Sequence, residues 1–298
     1  MKPYGELFLD APLAVRETQY SPSSLTNGVY APFIEEYRAR SANCFRSAPS
    51  HRLLRYGPAA RHTVDLFLPG HRANPEPALL VFIHGGYWQE LSREESAFAA
   101  LDTIANGVGF AVLDYPLAPM ATLDEIVHAC REGLSYLVAQ SGDLGFSPKR
   151  IILAGSSAGA HLAAMLALRN WRENGPLRDA IVGTVLVSGI YRLQPLMGTS
   201  VDVALGLTPS AADRLSPLLA DLNGFPETLI AWGEIETAAF KQQSLALAEA
   251  INSKGGQCRS MEIAGRNHFD VILDLMASDT ELGAAVKPLL LRRPPSGS

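Results

Sequence analysis

A serine motif near the middle of the chain has the composition of a nucleophilic site. Residues 155–159 read Gly-Ser-Ser-Ala-Gly, which matches the pattern Gly-x-Ser-x-Gly with Ser157 at its centre. The apolar run 151–154 predicts a strand before the motif, and residues 161–168 predict a helix after it. A serine on a sharp turn between a strand and a helix presents its hydroxyl to a substrate. We therefore expect Ser157 to act as a nucleophile.

A second motif follows an earlier apolar run. Residues 78–83 are entirely apolar and predict a buried strand, and residues 84–88 then read His-Gly-Gly-Tyr-Trp. Two adjacent glycines allow backbone N–H groups to approach a substrate closely, as stabilisation of an oxyanion requires. We expect the donors to be the N–H groups of Gly86 and Tyr87, together with that of Ala158, the residue after the nucleophile.

The side chains of the same loop have several candidate roles. We expect Gly85 and Tyr87 to contact the substrate. Trp88 either forms a wall of the substrate pocket or packs in the core. His84 is expected to brace the loop through hydrogen bonds, and His161, one turn into the helix after the nucleophile, is expected to be structural.

A candidate general base lies late in the chain. His268 is the only histidine beyond His161, and it occupies a polar segment just after the predicted strand 258–263. Where a serine on such a turn is activated by histidine, the chain order is serine, acid and then histidine. His268 therefore fits the role of the base.

The acid has two main candidates. Glu234 and Glu236 both follow the predicted strand 228–232, and a carboxylate there would orient the imidazole of His268. Asp270 and Asp274 are weaker candidates because they begin the helix that leaves His268. On this reasoning alone, both glutamates stay open.

The remaining pattern predicts the elements that hold these residues. Strands alternate with helices of ten or more residues, which favours an α/β fold with a mostly parallel central sheet and helices on both faces. The predicted strands not yet mentioned are 62–68, 109–113 and 181–187, and the other predicted helices are 123–139, 240–251 and 271–291.

The domain organisation follows from the absence of a linker or repeat. We expect one domain over residues 1–298, with an irregular N-terminal segment 1–50 that contains a short helix at 34–42. Residues 193–226 are proline-rich and weakly periodic. They are expected to form either a small lid or insertion over the site, or a surface excursion.

Composition excludes several classes of protein. The net charge is −5 without a cluster of lysine or arginine, so we expect no nucleic-acid partner. No apolar run reaches the roughly 20 residues of a membrane span, and the N-terminus lacks an apolar core with a cleavage site. Cys44, Cys130 and Cys258 show no metal-binding spacing, which favours reduced thiols in the cytoplasm and no metal or other cofactor. The expected partner is a small-molecule substrate, and a homodimer stays open.

The motifs resemble those of kynurenine formamidases, also called arylformamidases, within the α/β-hydrolase fold. Residues 84–88 are similar to the family's oxyanion loop, and residues 157–162 and 267–269 to its elbow and base motifs. Residues 233–244 resemble a family segment in which an aspartate stands four residues before a phenylalanine and Gln-Ser follows. That register assigns the acid to Glu236, so that glutamate replaces the family's aspartate.

The resemblance implies a catalytic triad of Ser157, Glu236 and His268 that cleaves an aryl formamide. The implied substrate is N-formylkynurenine, an intermediate of tryptophan catabolism, with kynurenine and formate as products. A carboxylesterase, carbamate hydrolase or other small-molecule amidase is the alternative, because the same triad serves all of them. A non-catalytic binding protein of this fold typically lacks the serine or the histidine, and both are present here.

Overall fold

Eight strands form one central sheet in the part of the chain that the structure describes. The computed structural model describes residues 6–70, 76–172 and 177–291. The sequence predicts no signal peptide at its N-terminus, and residues 1–6, on which that expectation rests, lie almost entirely outside this part. The strands are β1 (His51–Arg55), β2 (Thr63–Phe67), β3 (Leu79–Ile83), β4 (Gly109–Leu113), β5 (Ile151–Ser156), β6 (Ile181–Val187), β7 (Glu227–Ile235) and β8 (Cys258–Asn267).

The sheet is mostly parallel. Its order is β1-β2-β4-β3-β5-β6-β7-β8, and among these described strands only the β1–β2 and β2–β4 pairs are antiparallel. The carboxyl ends of β3, β5, β6, β7 and β8 therefore lie along one edge, where ligands bind in such sheets. The predicted α/β class and sheet type are confirmed.

Helices cover both faces of the sheet. The α-helices are α1 (Leu13–Gln19), α2 (Ala31–Ser47), α3 (Ala100–Ala105), α4 (Leu123–Ala139), α5 (Ser141–Leu144), α6 (Ala158–Ala167), α7 (Arg169–Arg172), α8 (Asp202–Leu205), α9 (Pro209–Arg214), α10 (Ala238–Ser253) and α11 (Glu281–Leu291). Short 3₁₀ helices lie at Glu6–Phe8, Pro22–Thr26, Arg93–Glu95, Gln194–Leu196, Pro217–Leu219 and Val271–Asp274.

The apolar run of β3 shows how the two layers arise. Successive side chains of a strand point to opposite faces. Leu79, Val81 and Ile83 enter one core, with apolar residues of α4, α6 and α10. Leu80 and Phe82 enter the other, with residues of α2, α3 and α11. A strand that is buried on both faces tends to read as a continuous apolar run, which is why the sequence predicts β3.

Local signals set the ends of several elements where the sequence predicts them. Thr122 caps α4: its hydroxyl accepts from the Glu125 N–H, and the Glu125 carboxylate accepts from the Thr122 N–H. This capping box fixes the first turn of the helix. The bounds of α4, β4 and β6 agree with the predictions.

The N-terminal segment departs from the prediction. Residues 1–50 were expected to be irregular with a short helix at 34–42, but α2 alone spans 17 residues and α1 precedes it. Only Tyr37, Ser41 and Cys44 of α2 are buried. So narrow an apolar stripe gives a weak helical pattern, which is why the sequence predicts only part of this helix.

Two further departures concern the edges of the sheet and the C-terminus. The edge strand β1 was not predicted, because its residues are mostly exposed and polar. The predicted helix 271–291 is instead a 3₁₀ helix followed by α11, with Met276 between them at a φ of +68° that interrupts the helical path.

Candidate active site

Ser157 lies on a strained turn between β5 and α6. Its φ of +55° and ψ of −119° fall outside the regions that non-glycine residues ordinarily adopt. The flanking glycines are required by close approach: a Cβ on Gly155 would lie 2.3 Å from the Gly159 carbonyl carbon and oxygen, and one on Gly159 would lie 2.0 Å from the Ile83 carbonyl oxygen. The turn has the geometry of a nucleophile elbow.

The loop after β3 lies against this elbow. A Cβ on Gly85 would lie 3.4 Å from Ser157 Cβ, so the two loops are in contact. Gly86 and Tyr87 have φ values of +92° and +50°, which turn the backbone at this point. Within the described chain, the N–H groups of Gly86, Tyr87 and Ala158 donate to no protein acceptor. Ala158 is also the first residue of α6, where the helix dipole favours negative charge.

His84 and its neighbours hold the loop in place. His84 Nε2 lies 3.2 Å from Asp114 Oδ1, and Arg61 donates to the same oxygen at 2.8 Å. The ring of Tyr115 stacks on that of His84 with 4.1 Å between centroids, and its hydroxyl donates to the His84 carbonyl oxygen at 2.8 Å. His84 thus has the bracing contacts expected of it.

His268 and Glu236 form a buried pair at the same edge of the sheet. His268 Nδ1 lies 3.0 Å from Glu236 Oε2, and the two residues are 5% and 6% exposed. Glu236 follows β7 directly and His268 follows β8 directly. An Nδ1–H that donates to the carboxylate leaves Nε2 as a proton acceptor.

Two donors that the sequence reasoning missed complete the environment of Glu236. The Ser188 hydroxyl and the Gly233 N–H each donate to Glu236 Oε1 at 2.6 Å. Both residues lie at the carboxyl ends of strands, β6 and β7. A polar residue directly after a buried strand is the signal that could have identified Ser188.

The other carboxylates considered for the acid are bound elsewhere. Glu234 is exposed, and its carboxylate accepts from the Gly265 N–H at 2.8 Å. Asp270 accepts from the Asn267 N–H at 2.7 Å, and Asp274 pairs with Arg266 at 2.6 Å. Of the four candidates, Glu236 is the one that contacts His268.

Ser157 and His268 both line one cavity of about 620 Å³. No hydrogen bond joins the two side chains among the described residues. In a site without substrate, catalytic hydrogen bonds are often long and tighten only in the complex. Gly85, Gly86 and Tyr87 also line the cavity, whose aromatic lining further comprises Tyr20, Tyr30, Tyr37, Phe82, Phe98 and Phe269.

The N-terminal segment forms much of the lining of this cavity. Residues 17–18 and 20–24 line it, whereas within 193–226 only residues 199–201 do. The two segments are joined: Glu17 accepts from the Ser200 N–H at 2.6 Å and from the Ser200 hydroxyl at 2.9 Å. The Tyr87 hydroxyl donates to the Tyr20 carbonyl oxygen, and burial raises the pKa of Tyr87 well above its usual value.

Comparison with known proteins supports the interpretation of these motifs. A family model described as the α/β-hydrolase fold matches residues 80–271. Kynurenine formamidase of Danio rerio is 32% identical over 226 residues, which cover 74% of this chain and 75% of that protein. The same enzyme of Drosophila melanogaster is 30% identical over 237 residues, 77% of this chain and 78% of that protein.

The chain belongs to the kynurenine formamidase-like family of α/β hydrolases. It is thus an arylformamidase-like hydrolase. Among solved structures, a bacterial heroin esterase aligns with a TM-score of 0.71 at 22% identity, covering 94% of this chain and 97% of that one. At this level of identity the likeness concerns the fold alone.

In this family member Trp88 does not form part of the cavity wall. Of the two alternatives for Trp88, the structure favours core packing, because its side chain is fully buried and belongs to the core that contains α4 and α6. It contacts the edge of His161, with 5.0 Å between ring centroids. The substrate-contacting role considered for Trp88 is therefore corrected: its side chain packs in the core, while Tyr87 borders the cavity.

His161 is a buried histidine of this hydrolase that faces the core. Its Nε2 lies 2.7 Å from the Leu215 carbonyl oxygen, and burial lowers its pKa to about 4 against the opposing effect of that hydrogen bond. In the unfolded chain an ordinary histidine has a pKa of about 6.5. At pH values between about 4 and 6.5, the unfolded state binds a proton at His161 that the folded state does not. The contribution of His161 to the free energy of unfolding is therefore fully present above about pH 6.5 and decreases as the pH falls toward 4.

A non-titrating residue at this position should remove that pH dependence. The His161→Gln variant keeps a side-chain donor for Leu215, and we expect it to lose less stability than the wild type between pH 7 and pH 4. The loss in free energy of unfolding between pH 7 and pH 4 should be smaller in the variant than in the wild type by about 3 kcal/mol. Urea unfolding at both pH values measures it, with the exposed His128→Gln as the control. Equal losses in His161→Gln and wild type would contradict the assignment.

The described residues contain neither a candidate metal site nor a candidate membrane span. No group of three or more His, Cys, Asp and Glu side chains within residues 6–70, 76–172 and 177–291 is arranged to hold a metal ion. No helix in that part of the chain has both the length and the apolar composition needed to cross a membrane.

Proposed function

We propose that the chain is a serine hydrolase that cleaves an aryl formamide through an acyl-enzyme on Ser157, with N-formylkynurenine as the substrate. The observation that carries the proposal is that His268, which is hydrogen-bonded to Glu236, lines the same cavity as Ser157. The curated relatives in Danio rerio and Drosophila melanogaster, both kynurenine formamidases, support the choice of substrate.

In the first half of the reaction, His268 Nε2 accepts the hydroxyl proton of Ser157 as the oxygen attacks the formyl carbon. Negative charge then develops on the formyl oxygen, where the N–H groups of Gly86, Tyr87 and Ala158 stabilise it. Removal of one such donor typically lowers kcat by a factor of about 10²–10³. Glu236 keeps the Nδ1 proton in place and stabilises the imidazolium that forms.

In the second half, the imidazolium returns its proton to the leaving nitrogen. The C–N bond breaks, the aromatic amine departs, and formyl-Ser157 remains. His268 then takes a proton from a water molecule, which attacks the formyl carbon, and the breakdown of this second tetrahedral intermediate releases formate and restores the Ser157 hydroxyl.

The walls of the cavity suit an aromatic leaving group. Phe269 follows the base directly, and its ring stacks on those of Tyr30 and Phe33 with centroid distances of 5.7 and 5.6 Å. Phe269 and Tyr30 both line the cavity. Aromatic rings in contact with a planar substrate contribute about 0.5–1.5 kcal/mol per pair beyond the burial of area.

A panel of matched substrates tests this proposal. Pure protein is assayed with N-formylkynurenine, with its N-acetyl counterpart, and with p-nitrophenyl acetate and an aryl carbamate. We expect kcat/KM for the formamide of at least about 10⁴ M⁻¹ s⁻¹, a usual lower value for an enzyme and its own substrate. The N-acetyl compound should be slower by about tenfold or more, since one added methyl group is worth about 1–3 kcal/mol in a close-fitting pocket.

The opposing result has a clear meaning. Rapid hydrolysis of p-nitrophenyl acetate without formate release from N-formylkynurenine would replace the arylformamidase proposal by the esterase alternative.

We also propose a cytoplasmic location, because Cys44, Cys130 and Cys258 are free thiols, as is usual in a reducing compartment.

A further inference from the structure

Ser188 is a buried serine at the carboxyl end of β6 that has no assigned role in the proposed reaction. It is fully buried, and its N–H donates to the Ala231 carbonyl oxygen at 2.8 Å, which continues the ladder between β6 and β7. Its φ of +53° lies in the left-handed region that favours glycine. A serine held in this conformation beside an active site points to a requirement for its side chain.

The hydroxyl of Ser188 binds the proposed acid. Ser188 Oγ donates to Glu236 Oε1 at 2.6 Å, and the Gly233 N–H donates to the same oxygen at 2.6 Å. His268 Nδ1 lies 3.0 Å from the other oxygen, Oε2. Two donors on Oε1 fix the rotation of the carboxylate and leave Oε2 directed at the imidazole.

Glutamate makes this restraint more important than aspartate would. Its side chain has one more rotatable bond, and each additional rotamer reduces the fraction of time in the productive geometry. Gly233 can offer its N–H only because it lacks a side chain, since a Cβ there would lie 2.4 Å from the Arg266 carbonyl oxygen. The backbone donor is thus fixed by the fold, and Ser188 supplies the second donor from the neighbouring strand.

We propose that Ser188 is a positioning residue that holds the longer Glu236 side chain so that Oε2 faces His268. The inference rests on the proposed function, because Ser188 acts only through the acid of that mechanism. It is not among the residues that line the cavity, so it has no contact with substrate to lose. Its removal should therefore lower kcat and leave KM almost unchanged.

Two substitutions separate the hydroxyl from the backbone conformation. Both Ser188→Ala and Ser188→Gly remove the donor, but glycine adopts a φ of +53° without strain. We expect kcat to fall by about 10- to 100-fold in both variants, with KM within about twofold, as a small misplacement of a catalytic group predicts. Ser244→Ala is the matched control, because Ser244 is also fully buried and its hydroxyl has no partner among the described residues.

A double-mutant cycle tests whether Ser188 acts through Glu236. In the Glu236→Gln background, Ser188→Ala should change kcat by less than about twofold, because coupled residues have non-additive effects. Full kcat in Ser188→Ala, recovery in Ser188→Gly, or an equal loss in both backgrounds would each overturn the inference. Turnover that persists in Ser157→Ala would instead show that the proposed function itself is wrong.

Discussion

The Ser157→Ala variant is expected to lose essentially all hydrolysis, with kcat/KM lower by about 10⁴-fold or more. The substitution removes the oxygen that forms the acyl-enzyme and leaves the turn intact, because alanine tolerates the backbone of Ser157 no worse than serine does. Substrate should still bind, since the cavity walls and the oxyanion donors are unchanged. A binding measurement with the Ser157→Ala variant checks that point.

A covalent probe assigns the nucleophile directly. A fluorophosphonate should label the wild-type protein on Ser157 and fail to label Ser157→Ala. Ser156→Ala is the appropriate control, because Ser156 is the adjacent serine and lines the same cavity. We expect that variant to be labelled. Labelling of Ser157→Ala with retained turnover would refute the assignment of Ser157 as the nucleophile.

The fold was predictable where burial on both faces removes ambiguity. The strands β3, β4 and β6 have almost no polar residues, and the bounds predicted for β4 and β6 agree with the structure. The edge strand β1 was missed for the opposite reason. Among the described residues it pairs only with β2, and it presents polar, exposed residues, so its conformation depends on a partner strand and not on its own pattern.

The site was predictable to the extent that it depends on chain order. Ser157, Glu236 and His268 were expected at the ends of strands whose carboxyl ends meet, and all three lie there. Side-chain direction within a loop carries no such signal. The sequence could not decide whether Trp88 faces the cavity or the core, because this depends on three consecutive positive φ values at Gly86, Tyr87 and Trp88.

The choice between the two glutamates depended on the family resemblance, and it has the second large expected effect. Glu236→Gln keeps the size of the side chain but replaces Oε2, which accepts from His268, with either an amide donor or a neutral carbonyl. An amide donor facing Nδ1 would favour the wrong tautomer of the imidazole, with the proton on Nε2. Nε2 could then no longer accept the proton of Ser157, and we expect kcat to fall by about 10²- to 10⁴-fold.

The neighbouring glutamate provides the matched control for this prediction. Glu234 is exposed, its carboxylate accepts from the backbone N–H of Gly265, and among the described residues no hydrogen bond joins it to His268. Glu234→Gln retains an oxygen for that hydrogen bond and should keep kcat within about twofold of the wild-type value, as most surface substitutions do. Steady-state assays of both variants with the same formamide decide the question. A large loss in Glu234→Gln together with normal turnover in Glu236→Gln would move the acid to Glu234. It would also remove the role inferred for Ser188, because the Ser188 hydroxyl binds Glu236.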